Sequence, residues 1–212
     1  MEQSLWHIVF CFVPLLTVEI ILSVRYKKKD FVLLMQGAVL LGLVSLIPAS
    51  IMQTILLNSP LSVRFFQSSL PLLLIYSLVV NGFIEEASKA CSFLLIPLKK
   101  INYIDFLFLG LIVGLSFGCF ETVIYMINGT KNLLLRFFTA GILHGACCVC
   151  SAVTVYNIKT EKNFKKNFWF VRSCFLHGFY NFFYVIGSGF IVCAVFCVVA
   201  SVYFAHKAFL EN

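Results

Sequence analysis

Three glutamates, two histidines, a lysine and an asparagine stand inside long apolar stretches of this chain: Glu85-Glu86-x-x-Lys89, Glu121, His144 and His177-x-x-x-Asn181. Glu and His side chains are the oxygen and nitrogen donors that Zn²⁺ takes in four-coordinate sites. A catalytic zinc keeps one position open for water, and a further carboxylate can then act as general base. Two adjacent carboxylates in a low-dielectric pocket do not both ionise easily, so one of Glu85 and Glu86 is available as an acid or base. A Glu–His pair could also activate water without a metal, with Asn181 as a candidate oxyanion donor. Both schemes point to hydrolysis, and the expected substrate is a peptide bond entering sideways from a bilayer.

These residues need a scaffold, and the composition says which kind. Of 212 residues, 61% are hydrophobic and 12% are charged, against roughly 45–50% and 25% in soluble domains. A soluble globular domain, a disordered chain and a disulfide-stapled secreted module are excluded. Apolar runs long enough for a span needing about 20 residues argue for helices over a β-barrel. The expected fold is all-α, a polytopic bundle in one integral membrane domain over 1–212, with the motifs in a core at about 70–186. Seven spans are expected near 5–24, 31–57, 70–96, 105–127, 135–157, 168–186 and 189–206, the last two divided only by Gly187-Ser188-Gly189. Pro48 and Pro71 are places where the second and third can tilt or break. The first segment reads as a retained helix: no Lys or Arg leads it, and Arg25-Tyr-Lys-Lys-Lys follows directly.

Loop charge orients the bundle. With the N-terminus outside, inner loops and tail hold Arg25, Lys27, Lys28, Lys29, Lys99, Lys100, Lys159, Lys162, Lys165, Lys166 and Lys207, while outer loops hold Arg64, Lys131 and Arg136. N-outside and C-inside follows, in a multi-pass protein of the cell membrane. The +7 net charge suits contact with anionic lipid headgroups. Because the basic residues are divided among short loops, no nucleic-acid partner is expected. The 9 cysteines all fall in apolar segments, none in a C-x-x-C pair, and read as small buried hydrophobes. Cys148, four residues after His144, leaves a soft-metal site conceivable.

Ionisable groups far from the loops cost several kcal/mol and face a cavity or a partner. Counted from the outer helix ends, Glu121, His144 and His177 lie at depths of about 9, 13 and 15 Å, with Glu85 near 20 Å. Asn81, Glu85, Lys89 and Ser92 recur on one stripe of the third span, and Ser173, His177, Asn181 and Tyr184 on one stripe of the sixth. Gly110-x-x-x-Gly114-x-x-x-Gly118 gives the fourth a close-packing face beside Glu121. The simplest arrangement turns these stripes toward one wet interior pocket. Lys89 either stretches to headgroups or pairs with Glu85 or Glu86. Arg136 and Arg172, near helix ends, read as headgroup contacts.

The ordered set Glu85-Glu86-x-x-Lys89, Phe117-x-x-x-Glu121, His144 and His177-x-x-x-Asn181 resembles the PrsW family of intramembrane proteases, relatives of the CAAX-processing and bacteriocin-processing membrane proteases. The resemblance covers roughly 70–185. It implies a peptidase that makes the first cut in a membrane-anchored protein, an anti-sigma factor in that family, on its extracytoplasmic side. It also implies roles: Glu85 and Glu86 as catalytic carboxylates, Glu86 preferred as base; Glu121, His144 and His177 holding a zinc ion or the water; Lys89 tuning the pair; Asn181 orienting the substrate. Thr122 stands where the family usually has Asn. The rival functions are a proton- or metal-coupled transporter, against which no inverted repeat is visible, and an idle scaffold or immunity protein.

Overall fold

The structure, a computed structural model, describes residues 5–27, 29–57, 69–99, 101–129, 133–160 and 168–211. Among these there are helices and connecting turns and no strand. Helices α1 (Leu5–Cys11) and α2 (Val13–Tyr26) replace the single first span expected, joined at Phe12, with Pro14 in the opening turn of α2. Proline lacks the N–H that would continue α1, so the break has a local cause. Helix α3 (Lys29–Leu57) runs unbroken through Pro48. Helix α4 (Leu70–Phe93) opens on Pro71 and contains an eight-residue π-helical stretch, Ser77–Ile84. Helices α5 (Tyr103–Ile127), α6 (Leu133–Thr160), α7 (Phe168–Ile186) and α8 (Ile191–Leu210) follow. Gly187, at φ +105°, ends α7 and leads into a short 3₁₀ turn, Ser188–Phe190.

Five helices, α3, α4, α5, α6 and α8, are long and apolar enough to cross a membrane. α7 has 19 residues but carries Arg172, His177 and Asn181, and α1 and α2 are individually short. Of the loop charges, Lys28, Arg64, Lys100, Lys131, Lys162, Lys165 and Lys166 lie outside the described residues. The described basic ends do share one end of the bundle: Lys159 Nζ donates to the carbonyls of Leu94 and Ile96, and Tyr103 Oη to that of Ala208.

The centre belongs to α5 and α6, of which 72% and 89% of the most apolar stretch is buried inside the protein. Lipid cannot drive apolar faces together, so close packing must. A Cβ on Gly114 would strike the carbonyl oxygen of His144, one on Gly110 would stand 2.7 Å from the Ala152 Cβ, and one on Gly118 2.9 Å from the His144 ring. The glycine stripe thus seats α5 on α6 and fixes where His144 stands. The α4–α7 crossing uses the same device: a Cβ on Gly82 would strike the Cys174 carbonyl, and one on Gly178 would lie 2.7 Å from the Leu78 Cα. Around this frame α3 lies against α5 and α4, and α8 covers α6 and α7.

Candidate active site

The π-helical stretch ends where the acids begin, and this decides their facing. A π turn is wider than an α turn, so positions before it fall out of phase with those after it. Gly82, Glu85, Glu86 and Lys89 are buried, while Asn81 is only partly so. The expected stripe is buried at Glu85, Lys89 and Ser92 and half-buried at Asn81. On α7 the stripe holds: Ser173, His177 and Asn181 are buried and Tyr184 is partly so.

Glu85, Glu86, Glu121, His144 and His177, drawn from α4, α5, α6 and α7, meet inside the bundle. Glu86 is fully buried and saturated. Its Oε1 accepts from Lys89 Nζ at 2.7 Å and from His177 Nδ1 at 3.0 Å, and its Oε2 from Ser151 Oγ at 3.0 Å. Ser151 is also 3.0 Å from Ser173, closing a link between α6 and α7. Lys89, 0% exposed, reaches no headgroup; it pairs with Glu86, donates to His144 Nδ1 at 2.8 Å, and stands 4.1 Å over the Phe117 ring. With Nδ1 accepting, the neutral His144 ring carries its hydrogen on Nε2 and donates it to Glu121 Oε2 at 2.9 Å. The two imidazoles meet edge to face with centroids 4.7 Å apart.

Glu85 differs from the other acids. Gln53 of α3 donates to its Oε1 at 2.7 Å, but Oε2 is buried without a partner, 3.5 Å from His177 Nε2. Because His177 Nδ1 donates to Glu86, Nε2 of the neutral ring presents a lone pair. An unpartnered carboxyl oxygen and an imidazole lone pair thus face each other in a buried setting, an arrangement that calls for a cation or a hydrogen-bond donor between them. Glu85, His144 and His177 each offer one donor atom within 4.8 Å of the others. This donor set, one oxygen and two nitrogens, fits a metal that keeps an open position. Glu121, expected to ligate, touches His144 but is also held by Arg136 Nη2 at 2.8 Å. Asn181 Nδ2 donates to the His177 carbonyl on its own helix at 3.2 Å. Cys148 lies buried against the α5 glycine face and belongs to no such cluster among the described residues.

Three participants were not expected. Arg136 is no headgroup contact: it is 3% exposed, bonded to Glu121, and its guanidinium carbon lies 3.7 Å from the Tyr125 ring centre. Its position near a helix end hid this, although an arginine on the helix that follows buried Glu121 was a visible signal. Gln53 sits on a helix with no other polar motif, and Ser151 is a common packing residue, so neither carried a signal of its own. Thr122 turns away from the cluster and donates to the Gly118 carbonyl at 2.7 Å. Arg172 stacks among Phe168, Trp169 and Phe204.

No curated protein and no solved structure matches this chain. A family description does, over residues 31–206, a longer stretch than the motifs and one that takes in α3 with Gln53. Its members are intramembrane peptidases, multi-pass membrane proteins whose name implies a metal and a protein substrate. Buried carboxylates and imidazoles gathered from four helices are the equipment such a reaction needs, and this chain belongs to the PrsW family of intramembrane metalloproteases.

Proposed function

We propose that the site cleaves a peptide bond of a membrane-anchored protein, an anti-sigma factor being the substrate class the resemblance suggests, with Glu85, His144 and His177 as the residues that hold zinc. The observation that carries this is the unpartnered Glu85 Oε2 facing the His177 Nε2 lone pair at 3.5 Å. Zinc supplies a nucleophilic water at neutral pH and polarises a carbonyl. Glu86 orients His177 through Nδ1, the carboxylate–histidine relation common behind metal sites. Held by three donors, Glu86 suits this anchoring better than the base role, and Glu85, whose Oε2 is unpartnered, is the acid free to take the ion. Glu121, fixed by Arg136, orients His144 in the same manner by taking Nε2–H, and His144 completes the trio through Nδ1 by releasing Lys89. Asn181 keeps a second N–H hydrogen with which to hold the substrate carbonyl.

The test pairs cleavage with metal content. Purified protein should cut a single-span anti-sigma peptide in proteoliposomes, and retain about one zinc per chain. Glu85→Gln and His177→Ala should lose both. Full proteolysis in verified metal-free protein would remove zinc from the proposal. Ion flux without cleavage would favour a transporter.

A further inference from the structure

A second cluster of charged side chains lies at the basic end of the bundle, away from the acids and imidazoles. A cavity of about 620 Å³ opens there between the start of α3 and the link from α4 to α5. Lys29, Asp30, Lys99 and Asp105 line it, with Leu33 and Pro97 on its apolar flank. Lys29, Asp30 and Lys99 are exposed. Asp105 is 9% exposed, and its Oδ1 is buried with no hydrogen-bond partner. Its backbone, not its side chain, serves the helix start, donating to Asn102 Oδ1 at 2.8 Å. The Tyr26 hydroxyl, which also lines the cavity, engages the same carboxylate, and Oδ1 is the acceptor left spare.

We propose that this cavity binds the headgroup of a phospholipid bearing a primary amine, the phosphoethanolamine class. Lys29 and Lys99 take the phosphate, as ammonium groups do. The headgroup ammonium donates to Asp105 Oδ1, with Asp30 as the second negative charge at the rim. Among the described lining residues two cations and two carboxylates balance, which suits a zwitterion. A quaternary choline has no N–H and leaves Oδ1 unsatisfied. The lipid, rather than a soluble phosphoamine, is the source because Leu33, 73% exposed, and Pro97 give the cavity an apolar flank on which an acyl chain can pack. The site is independent of the proteolytic reading.

The experiment is native mass spectrometry of the full chain released from mixed micelles holding equal phosphatidylethanolamine, phosphatidylcholine and phosphatidylglycerol of matched acyl chains. The ethanolamine lipid should be retained about tenfold over the choline lipid, the worth of one hydrogen bond to a charged group. Asp105→Asn should erase that preference. Lys99→Glu, an exposed change that leaves the core alone, should weaken retention of the ethanolamine lipid even if the Asp105 variant fails to fold. Equal retention of ethanolamine and choline lipids, or indifference to Lys99→Glu, overturns the proposal. Stronger retention of the glycerol lipid makes this a phosphate site only. Complete displacement by millimolar soluble phosphoethanolamine overturns the lipid as its source.

Discussion

Lys89→Met tests whether the acid pair is held by charge. The substitution removes a fully buried ammonium that touches Glu86 at 2.7 Å and His144 at 2.8 Å. The Glu86 carboxylate would remain buried, with only His177 and Ser151 as donors. Breaking a buried pair by removing one partner costs about 3–5 kcal/mol. Methionine recovers a little by packing on the Phe117 ring, so a loss of about 3–4 kcal/mol is expected. Adding Glu86→Gln removes the stranded charge, and the double variant should be more stable than Lys89→Met alone, with a coupling of about 2–3 kcal/mol. Unfolding in mixed micelles, followed by α5 and α6 cysteine accessibility, gives the four free energies. Cleavage should be lost in all three variants, because each disturbs the Glu86 carboxylate that orients His177. A Lys89→Met cost below about 1 kcal/mol, or strict additivity with Glu86→Gln, would refute a charge-held site.

Glu85→Gln should cost less than about 1 kcal/mol in the same unfolding assay, since the Gln53 bond survives and Oε2 has no partner to lose, while cleavage falls at least about 100-fold. Arg136→Met should cost about 3 kcal/mol and slow cleavage, with Glu121→Gln in the same chain restoring stability but not activity. Gly114→Val should prevent accumulation of the folded protein, because its side chain meets the His144 carbonyl; recovery of native yield in a membrane-fraction blot would contradict the packing described. Chelation should abolish cleavage and restored zinc return it, with Glu85→Gln showing reduced zinc retention by elemental analysis.

The helical class and the presence of a polar cluster were legible because burying ionisable groups among apolar residues is costly enough to be rare. His144, His177, Glu85 and Glu86 announced themselves by position alone, and the glycine stripe announced its neighbour. Depth arithmetic set Glu85 about 5 Å beneath His177, an offset that side chains bridge: Glu86 lies 3.0 Å from His177. Linear rise assumes a regular helix, and the π-helical stretch before Glu85 is invisible to hydrophobic periodicity. Which acid is spare was also hidden, since that depends on Lys89, Ser151 and Gln53 arriving from three helices. Arg136 was misread because closeness to a helix end says nothing about the direction a side chain points.

The saturation of Glu86 bears on how the protein comes into being. In a bilayer, apolar contact between helices gains little over apolar contact with lipid. Lys89, Ser151 and His177 close on one carboxylate, so the reactive centre doubles as the clasp that selects the native arrangement. A chain whose clasp has not shut should be both inert and loosely assembled. Damage to the Glu86 clasp should therefore surface as loss of the protein from the membrane, so that surveillance of assembly also screens this part of the reactive centre.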